Sequence, residues 1–342
     1  MSAIPADRLR RLRLAAQRLA PGAGAPDPLA ATRAVVGIQA QDIRAAGLSL
    51  RSRVPGLTRA AVDEADGLIR TWTFRGTVHL IAADDRPWIH ALTGARNAAR
   101  FESWIVKRGE LDLFRELRPE LVARVEERAL SKADLLESLA GDGLPVPRTS
   151  ATNVLMPWLA AQGLVVGRPD GRFHAADPPA PVDSEQALAT LAARYLAGHA
   201  PAGAPDLARW SGLPLGMART ALASIETEEA GNGLLVPPGA LDADPPPAPP
   251  ALLLAGFDTA MLGWRTREPL VAAGDDRRIL PGGGIVRAAV LTRGRATGTW
   301  RLIGSGSRRR LAVEWFGRRP PARALTAEAA DAARFLGVEL AA

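Results

Sequence analysis

Two amide side chains at close spacing are the groups in this chain best suited to chemistry. Gln39 and Gln41 are separated by a single residue, Ala40. A neutral amide does not titrate, so it cannot act as a general base in the way that a carboxylate does. It can, however, accept a hydrogen bond from water while donating one to a sugar or a phosphate. The pair is therefore suited to positioning a water molecule in a reaction that needs little help from a base.

The spacing of the two glutamines restricts the backbone from which they could act together. Residues i and i+2 lie about 200° apart around an α-helix, so both side chains can enter one site only from an extended segment or a helix end. Gly37, just before the pair, permits such a conformation. Asp42, just after it, is the alternative candidate for activating water, because its carboxylate can accept a proton.

A second segment, residues 72–80, alternates between apolar and polar side chains. The polar positions are Thr73, Arg75, Thr77 and His79. A period of two predicts an extended strand whose polar face offers a cation, hydroxyls and an imidazole in a row. Such a face could hold a phosphate or a polar substrate. A solvated strand face is the alternative interpretation of these residues, just as hydrogen bonding at a helix end is the alternative for the glutamines.

Positive charge is concentrated in one part of the chain. The formal net charge is +7. Residues 261–320 contain 13 arginines against four acidic residues, a balance of +9, which leaves −2 for the other residues. A concentrated field steers a polyanion better than the same charge spread evenly. Arg308-Arg309-Arg310 follows a glycine-serine turn, which predicts either a hairpin that reaches toward phosphates or a solvated hairpin tip.

The composition excludes several kinds of site. The 342 residues include no cysteine, which excludes disulfides, iron–sulfur clusters, thiolate zinc sites and thiol catalysis. Only four histidines are present and no metal-ligand spacing is found, so we expect no metal and no other cofactor. Residues 1–13 lack the apolar stretch of a signal peptide, and no apolar run is long enough to cross a bilayer. We expect a cytoplasmic protein that does not enter the membrane.

The pattern of helices and strands predicts an α+β protein with three tandem winged helix-turn-helix units and a small C-terminal β-rich domain. Helices are predicted over residues 7–19, 28–36 and 59–65 in the first unit, 117–130, 132–141 and 151–162 in the second, and 184–199, 206–213 and 215–225 in the third. Hairpins are predicted over residues 68–81 and 164–174, strands over 285–291, 296–303 and 310–316, and a closing helix over 325–336.

These elements suggest the domain boundaries. We assign residues 1–115 to the first winged helix with the glutamine motif, 116–180 to the second, 181–236 to the third, 237–250 to a proline-rich linker and 251–342 to the C-terminal domain. Trp104, Trp158 and Trp210 lie on apolar helix faces and are assigned to the core.

Five short motifs occur in the order found in one known family. They are Gln39-Ala40-Gln41, Arg75-Gly76-Thr77-Val78-His79, the helix-turn-helix segment 206–213, Phe257-Asp258 with Leu262-Gly263, and Gly298-Thr299-Trp300-Arg301. This arrangement resembles the winged-helix DNA glycosylases of the AlkZ and YcaQ family over almost the whole chain. YcaQ-like members have aspartate at the third position of the first motif and AlkZ-like members have glutamine, so Gln41 is similar to the AlkZ branch.

The resemblance implies a monofunctional DNA glycosylase that hydrolyses the N-glycosidic bond of N7-alkylguanine. Its substrates would include bulky natural-product adducts and interstrand crosslinks, in DNA repair and in self-resistance to a genotoxin. Gln39 and Gln41 are then the catalytic residues. The residues expected to contact DNA are Arg75, Thr77, His79, Arg308, Arg309 and Arg310. The expected partner is double-stranded DNA carrying alkylated guanine, and we expect a monomer because no long exposed apolar stripe is found.

The chemistry of an N7-alkylated guanine suits a pair of amides. The base is already cationic and its bond to the sugar is weak, so positioning a water molecule is the main task. Negative potential from DNA phosphates and amide oxygens would stabilise the oxocarbenium-like sugar. The only lysines, Lys107 and Lys132, lie outside the motifs, so we expect simple hydrolysis and no Schiff-base route.

Two hypotheses of other classes stay open from the sequence. A non-enzymatic winged-helix transcriptional regulator would bind duplex DNA sequence-specifically and leave no abasic product. A structural or protein-binding module would bind DNA only weakly and without salt dependence. The sequence also leaves open which adduct is the substrate and whether the base is flipped out of the helix.

Overall fold

The computed structural model describes residues 4–147 and 149–340, apart from the side chains of residues 149–152 and 307. Its α-helices are α1 (Ala6–Ala16), α2 (Pro28–Ala34), α3 (Ile43–Arg51), α4 (Arg59–Asp63), α5 (Arg86–Val106), α6 (Leu111–Glu127), α7 (Lys132–Gly141), α8 (Thr149–Ala161), α9 (Ser184–His199), α10 (Ala204–Ser211), α11 (Leu215–Ala223), α12 (Thr259–Leu262), α13 (Asp276–Ile279) and α14 (Ala322–Leu336). No helix in this part of the chain is both long and apolar enough to cross a membrane.

Within residues 4–147 and 149–340 the strands form three antiparallel sheets, which confirms the predicted α+β class. They are β1 (Ile38–Gln39), β2 (Leu68–Trp72), β3 (Val78–Ala82), β4 (Val165–Gly167), β5 (Phe173–Ala175), β6 (Glu228–Gly231), β7 (Leu234–Val236), β8 (Leu252–Leu254), β9 (Ala289–Thr292), β10 (Arg295–Ile303) and β11 (Arg310–Trp315). The number of winged-helix units stays a prediction.

The first sheet joins the hairpins of the first two predicted units. Its strand order is β1-β3-β2-β4-β5. β2 and β3 are the hairpin predicted over residues 68–81, and β4 and β5 are the hairpin predicted over 164–174. β4 also pairs with β2 through Arg70 and Gly167. The two predicted wings are therefore one continuous sheet, a pairing between distant segments that local pattern does not report.

Residues 72–80 are not one strand, so the predicted single polar face is wrong. β2 ends at Trp72, β3 begins at Val78, and a short 3₁₀ turn over Phe74–Gly76 joins them. Arg75 has a φ of 57° and Gly76 a φ of 68°, and left-handed backbone at two successive residues reverses the chain. The alternation of residue types continues through this turn, which is why the sequence pattern resembles a longer strand.

No bounds were predicted for two helices of the N-terminal half. α3 follows the glutamine motif directly, and α5, 21 residues long, follows the first hairpin. α5 contributes Phe101 and Ile105 to the core around α6, α7 and α8, so it links the first and second predicted units. The predicted cap of α7 is confirmed, because the side chain of Ser131 accepts a hydrogen bond from the backbone of Asp134 in a reciprocal capping box.

The third helical segment follows the prediction closely. α9 has the predicted bounds, and α10 is followed by the cap residue Gly212, whose φ of 75° suits the turn of a helix-turn-helix. The hairpin of β6 and β7, which was not predicted, completes this segment. Trp158 and Trp210 are buried as predicted, but the core assignment of Trp104 is wrong, because 36% of its surface is exposed.

The C-terminal sheet has the order β11-β10-β9-β8. Its last two strands agree with the prediction, whereas the first predicted strand is confined to β9 and β8 was not predicted. The proline-rich segment 237–250 contains no helix or strand and lies against α1. Its carbonyl oxygens at Leu241 and Pro245 accept hydrogen bonds of 2.7 Å from Arg8 and Arg11 respectively.

The hydrophobic cores cross the predicted domain boundaries. One buried cluster combines Phe74 of the turn between β2 and β3 and Ile81 of β3 with Tyr195 of α9, Trp210 of α10 and Met261 of α12. A second cluster packs the first sheet and α3 against the C-terminal sheet and α14. The second predicted unit has a largely separate core. The boundaries themselves stay a prediction, but the N-terminal and C-terminal regions share a common interior.

Candidate active site

The two glutamines lie on an extended segment between α2 and α3. Gln39 is the last residue of β1 and pairs with His79 of β3, and Gln41 follows just before α3 begins. A Cβ at Gly37 would lie 3.2 Å from the carbonyl oxygen of Leu80, so this position suits a glycine where the segment joins the sheet. The backbone at the pair is thus non-helical, which joint action of the two side chains would require.

The amides of the two glutamines are hydrogen bonded to each other. Gln39 Nε2 donates to Gln41 Oε1 at 2.7 Å. Gln39 is 7% exposed, whereas Gln41 is exposed. Gln39 is thus held within the protein, and Gln41 presents its amide at the surface.

Arg75 fixes the orientation of both amides. Its Nη1 donates to the carbonyl oxygen of Trp210, and its Nη2 donates to Gln39 Oε1 at 3.3 Å. A guanidinium can only donate, so the Gln39 atom beside it is the oxygen, and Gln39 Nε2 faces Gln41. Gln41 therefore turns its own oxygen toward Gln39. One lone pair on that oxygen and both N–H groups of Gln41 are left for water and substrate.

The charge of Arg75 persists although the residue is half-buried. Burial, and to a lesser extent the neighbouring Arg209, lower the pKa of Arg75 to about 10. The guanidinium is therefore protonated at neutral pH and keeps its donors. Its direction, toward Trp210 and Gln39, differs from the solvent-facing strand position expected from the sequence, and a direct contact between Arg75 and DNA stays a prediction.

His79 lies beneath the turn that carries Arg75. Its Nδ1 is 3.0 Å from the carbonyl oxygen of Thr77 and 2.9 Å from Thr73 Oγ1. Because a carbonyl oxygen only accepts, Nδ1 carries the proton of the neutral ring. Burial, with the nearby charge of Arg75, lowers the pKa of His79 to about 3. With 3% of its surface exposed, this imidazole braces the turn and does not present a cation to solvent.

Thr77 is half-buried, and its hydroxyl donates to the carbonyl oxygen of Phe74 at 3.1 Å. Arg308, Arg309 and Arg310 lie at the hairpin between β10 and β11, as the sequence indicates. Arg308 and Arg310 are exposed, and Arg309 is half-buried. The contacts of these four residues with DNA stay predictions.

Asp42, the alternative water-activating group, already has a structural task. It is the N-cap of α3, and its Oδ1 accepts hydrogen bonds from the backbone N–H groups of Arg44 and Ala45 at 2.8 and 3.1 Å. Capping of this kind is a frequent role for aspartate. Among the residues that the structure describes, no cluster of three or more histidine, aspartate and glutamate side chains could hold a metal ion.

A buried ion pair in the protein interior was not predicted. Arg53 and Asp258 are both fully buried and form two hydrogen bonds of 2.9 Å. Gln17 Oε1 accepts from Arg53 Nη2 at 3.0 Å, and Ser49 Oγ donates to Asp258 Oδ2 at 2.6 Å. The network ties α1 and the end of α3 to the residue that caps α12. Asp258 belongs to one of the sequence motifs, but only tertiary contact identifies Arg53 as its partner.

The chain matches one known protein family over most of its length. A family model described as DNA glycosylase AlkZ-like matches residues 32–335. The match includes both glutamines, the turn that carries Arg75 and the C-terminal hairpin. The chain belongs to the AlkZ-like DNA glycosylase family.

Individual relatives agree with the assignment to the AlkZ-like family. An interstrand DNA cross-link repair glycosylase from Streptomyces sahachiroi is 25% identical over 338 aligned positions, which cover 88% of this chain and 89% of the relative. The solved structure of the Streptomyces sahachiroi DNA glycosylase AlkZ superposes with a TM-score of 0.78 at 24% identity and covers 99% of each chain. At that identity the structural likeness establishes the AlkZ fold.

Proposed function

We propose that this protein is a monofunctional DNA glycosylase that hydrolyses the N-glycosidic bond of N7-alkylguanine in double-stranded DNA. The proposal extends to bulky adducts and interstrand crosslinks, because one relative is described as an interstrand DNA cross-link repair glycosylase. Its biological role would be DNA repair and self-resistance to a genotoxin. The observation that supports the mechanism most directly is the hydrogen-bonded pair of Gln39 and Gln41 with Arg75 behind it.

In this mechanism Gln41 positions the attacking water. Gln41 Oε1 accepts one hydrogen bond from Gln39 Nε2 and can accept a second from water, while Gln41 Nε2 donates to the sugar or a phosphate. Gln39 acts as a positioning residue, since its buried amide holds the Gln41 oxygen in place. The amides do not remove a proton at the start of the reaction. Attack therefore depends on a leaving group that departs readily.

N7-alkylguanine is such a leaving group, because it carries a positive charge that is neutralised when the bond to the sugar breaks. The sugar develops cationic character as the base departs, and the amide oxygen of Gln41 and the DNA phosphates stabilise it. Water then adds to the anomeric carbon, loses its proton to solvent and leaves an abasic site. An unmodified guanine is a poorer leaving group, so the same site would discriminate against normal DNA.

One assay tests this function. The protein is incubated with a duplex that carries a single N7-methylguanine, and abasic sites are then cleaved with alkali. We expect strand scission at the lesion above the enzyme-free background with the parent protein, and scission at the background level with the Gln39→Ala, Gln41→Ala double variant. A duplex with unmodified guanine at that position is the control for specificity. Scission that persists in the double variant would contradict the catalytic assignment.

The same assay distinguishes the alternative function. A non-enzymatic transcriptional regulator would bind the duplex with sequence preference and yield no scission with any substrate. A duplex with a bulky N7 adduct and one with an interstrand crosslink, run in parallel, determine how far the substrate range extends beyond methyl groups.

A further inference from the structure

A cleft lined by arginines includes Arg75 but neither of the two glutamines in its described lining. It has a volume of about 450 Å³ and lies between α5 and the helix-turn-helix segment that includes α10. Among the described residues that line it, the cationic side chains are Arg75, Arg96, Arg100 and Arg209, and there is no aspartate or glutamate. None of these arginines belongs to the basic segment 261–320, so the overall charge distribution of the sequence gives no indication of this site.

Two of these guanidiniums are fixed by the protein backbone. Arg96 Nη1 donates to the carbonyl oxygen of Gly212 at 2.6 Å, and Arg100 Nη1 donates to that of Arg75 at 2.8 Å. Asn97, between them on α5, donates to the carbonyl oxygen of Thr73 at 2.7 Å. Each arginine uses one nitrogen in these contacts. A hydrogen bond to a backbone carbonyl oxygen, and not to a carboxylate, therefore orients its remaining N–H groups. This arrangement pre-organises donors for an anion.

The cleft concentrates positive charge without an internal counterion. Arg96, Arg100 and Arg209 are exposed, and within the described residues none of them forms an ion pair. Arg96 and Arg100 are four residues apart on one helix face, where like charges repel. Arg209 lies close enough to Arg75 to oppose its charge. A bound anion would relieve this repulsion.

The exposed ring of Trp104 extends the same face of α5 by one more turn. The guanidinium of Arg100 lies over this ring, 5.1 Å from its centre. Trp104 thus supports the aliphatic part of Arg100 and has an exposed apolar face of its own. The row Arg96, Arg100 and Trp104 therefore runs away from the cleft along one surface.

We propose that Arg96, Arg100 and Arg209 form a subsite for backbone phosphates of the DNA strand next to the lesion. The subsite rests on the proposed function, because its ligand is the DNA substrate. Its position is informative, since Arg75 lines the cleft and also contacts Gln39. A phosphate held there places the neighbouring nucleotide close to the glutamine pair and leaves the base unread.

Salt dependence of DNA binding is the test, measured with undamaged fluorescent duplex so that base excision is not required. The variants are Arg96→Gln, Arg100→Gln and Arg209→Gln, singly and together, and Arg323→Gln, exposed on α14, is the matched control. Each phosphate contact that is lost should reduce the slope of log K against log salt by about 0.9. The control should keep the parent slope, and Arg100→Lys, which retains the charge, should restore most of the slope lost in Arg100→Gln.

Two results would overturn the subsite. One is a triple variant that keeps the salt slope of the parent, because no phosphate contact would then have been lost. This holds even if the affinity of the variant for DNA is reduced, since a reduced affinity without a change of slope indicates structural damage. The other comes from a second arm, in which inorganic phosphate is compared with chloride at equal ionic strength for its effect on thermal stability. Loss of phosphate stabilisation in the triple variant, with the parent slope retained for DNA, would identify a free-anion site instead.

The outcome is separable from that of the proposed function. If the parent protein releases no N7-methylguanine but the slopes change as expected, the phosphate subsite is supported and the proposed glycosylase activity is contradicted. The protein would then bind DNA without excising this base. If the base is released and the slopes do not change, the glycosylase stands and the subsite is wrong.

Discussion

Gln39 lies directly opposite His79 in the antiparallel register of β1 and β3. Two motifs about forty residues apart in sequence are therefore neighbours on one sheet, and the turn that follows β2 delivers Arg75 to the same place. The buried imidazole braces this turn, the guanidinium orients the buried amide, and that amide orients the exposed one. Because each residue in this series contacts the next, substitution of one residue at a time can test the role of each.

Gln41 should be the most sensitive position for base excision. We expect Gln41→Ala to reduce the single-turnover rate by about 10²-fold or more, because the water loses its acceptor. Asp42→Asn is the control, since asparagine also caps a helix but cannot take up a proton. Release of N7-methylguanine from duplex DNA measures both variants. A larger loss in Asp42→Asn than in Gln41→Ala would transfer water activation to Asp42.

Arg75 should act through Gln39 and not mainly through DNA affinity. We expect Arg75→Gln to reduce the excision rate at saturating DNA by about 10²-fold, because Gln39 can then rotate its amide and misplace Gln41. The KM for DNA and the salt slope of binding should change little. If Arg75→Gln instead raises KM, leaves the rate at saturation unaltered and lowers the salt slope, Arg75 is a phosphate contact.

The stability of the fold should fall in mild acid because of buried histidines. Burial lowers the pKa of His79 and of His199 to about 3 from an ordinary value of 6.5. Below pH 6.5 the unfolded chain binds protons that the folded chain does not, so stability is fully present above pH 6.5 and is lost as the pH falls toward 3. Each ring contributes a slope of up to about 1.4 kcal/mol per pH unit in that window.

Substitution of one ring isolates its contribution. We expect His199→Leu to reduce the slope of the unfolding free energy against pH by up to about 1.4 kcal/mol per pH unit, which corresponds to one proton. The slope is measured by urea titration between pH 4.5 and 6.5. Between pH 7 and 9 the curves of parent and variant should run parallel, since the ring is neutral in both states there. A variant with the parent slope in the acidic range would show that His199 does not titrate on unfolding.

Breaking the buried ion pair of Arg53 and Asp258 should strongly destabilise the fold. We expect Asp258→Ala to cost about 3–5 kcal/mol, because Arg53 would remain buried without a counterion. The exposed pair of Arg33 and Asp84 provides the control, since 82% of the Asp84 side chain is accessible. Asp84→Ala should cost less than about 1 kcal/mol. Equal losses in urea unfolding for the two variants would mean that the Arg53 network is not specifically stabilising.

The sequence by itself determined which functional side chains are present and most of the local secondary structure. The amide pair, the absence of cysteine, the boundaries of α9 and the cap of α7 follow from residue type and short-range spacing, because these features depend on neighbours along the chain. The order of five motifs was enough to indicate the AlkZ-like family. Helix geometry alone also restricted the glutamine pair, if its two side chains act together, to an extended segment or a helix end.

Tertiary structure decided which groups meet. Alternation in residues 72–80 could not reveal the turn at Arg75, because a period of two does not report a change of backbone direction. The contact of Arg75 with Trp210 joins residues 135 positions apart, and Arg53 reaches Asp258 across 205 positions. Burial then decided which polar residues are exposed, and burial depends on how distant elements pack, which no local pattern contains.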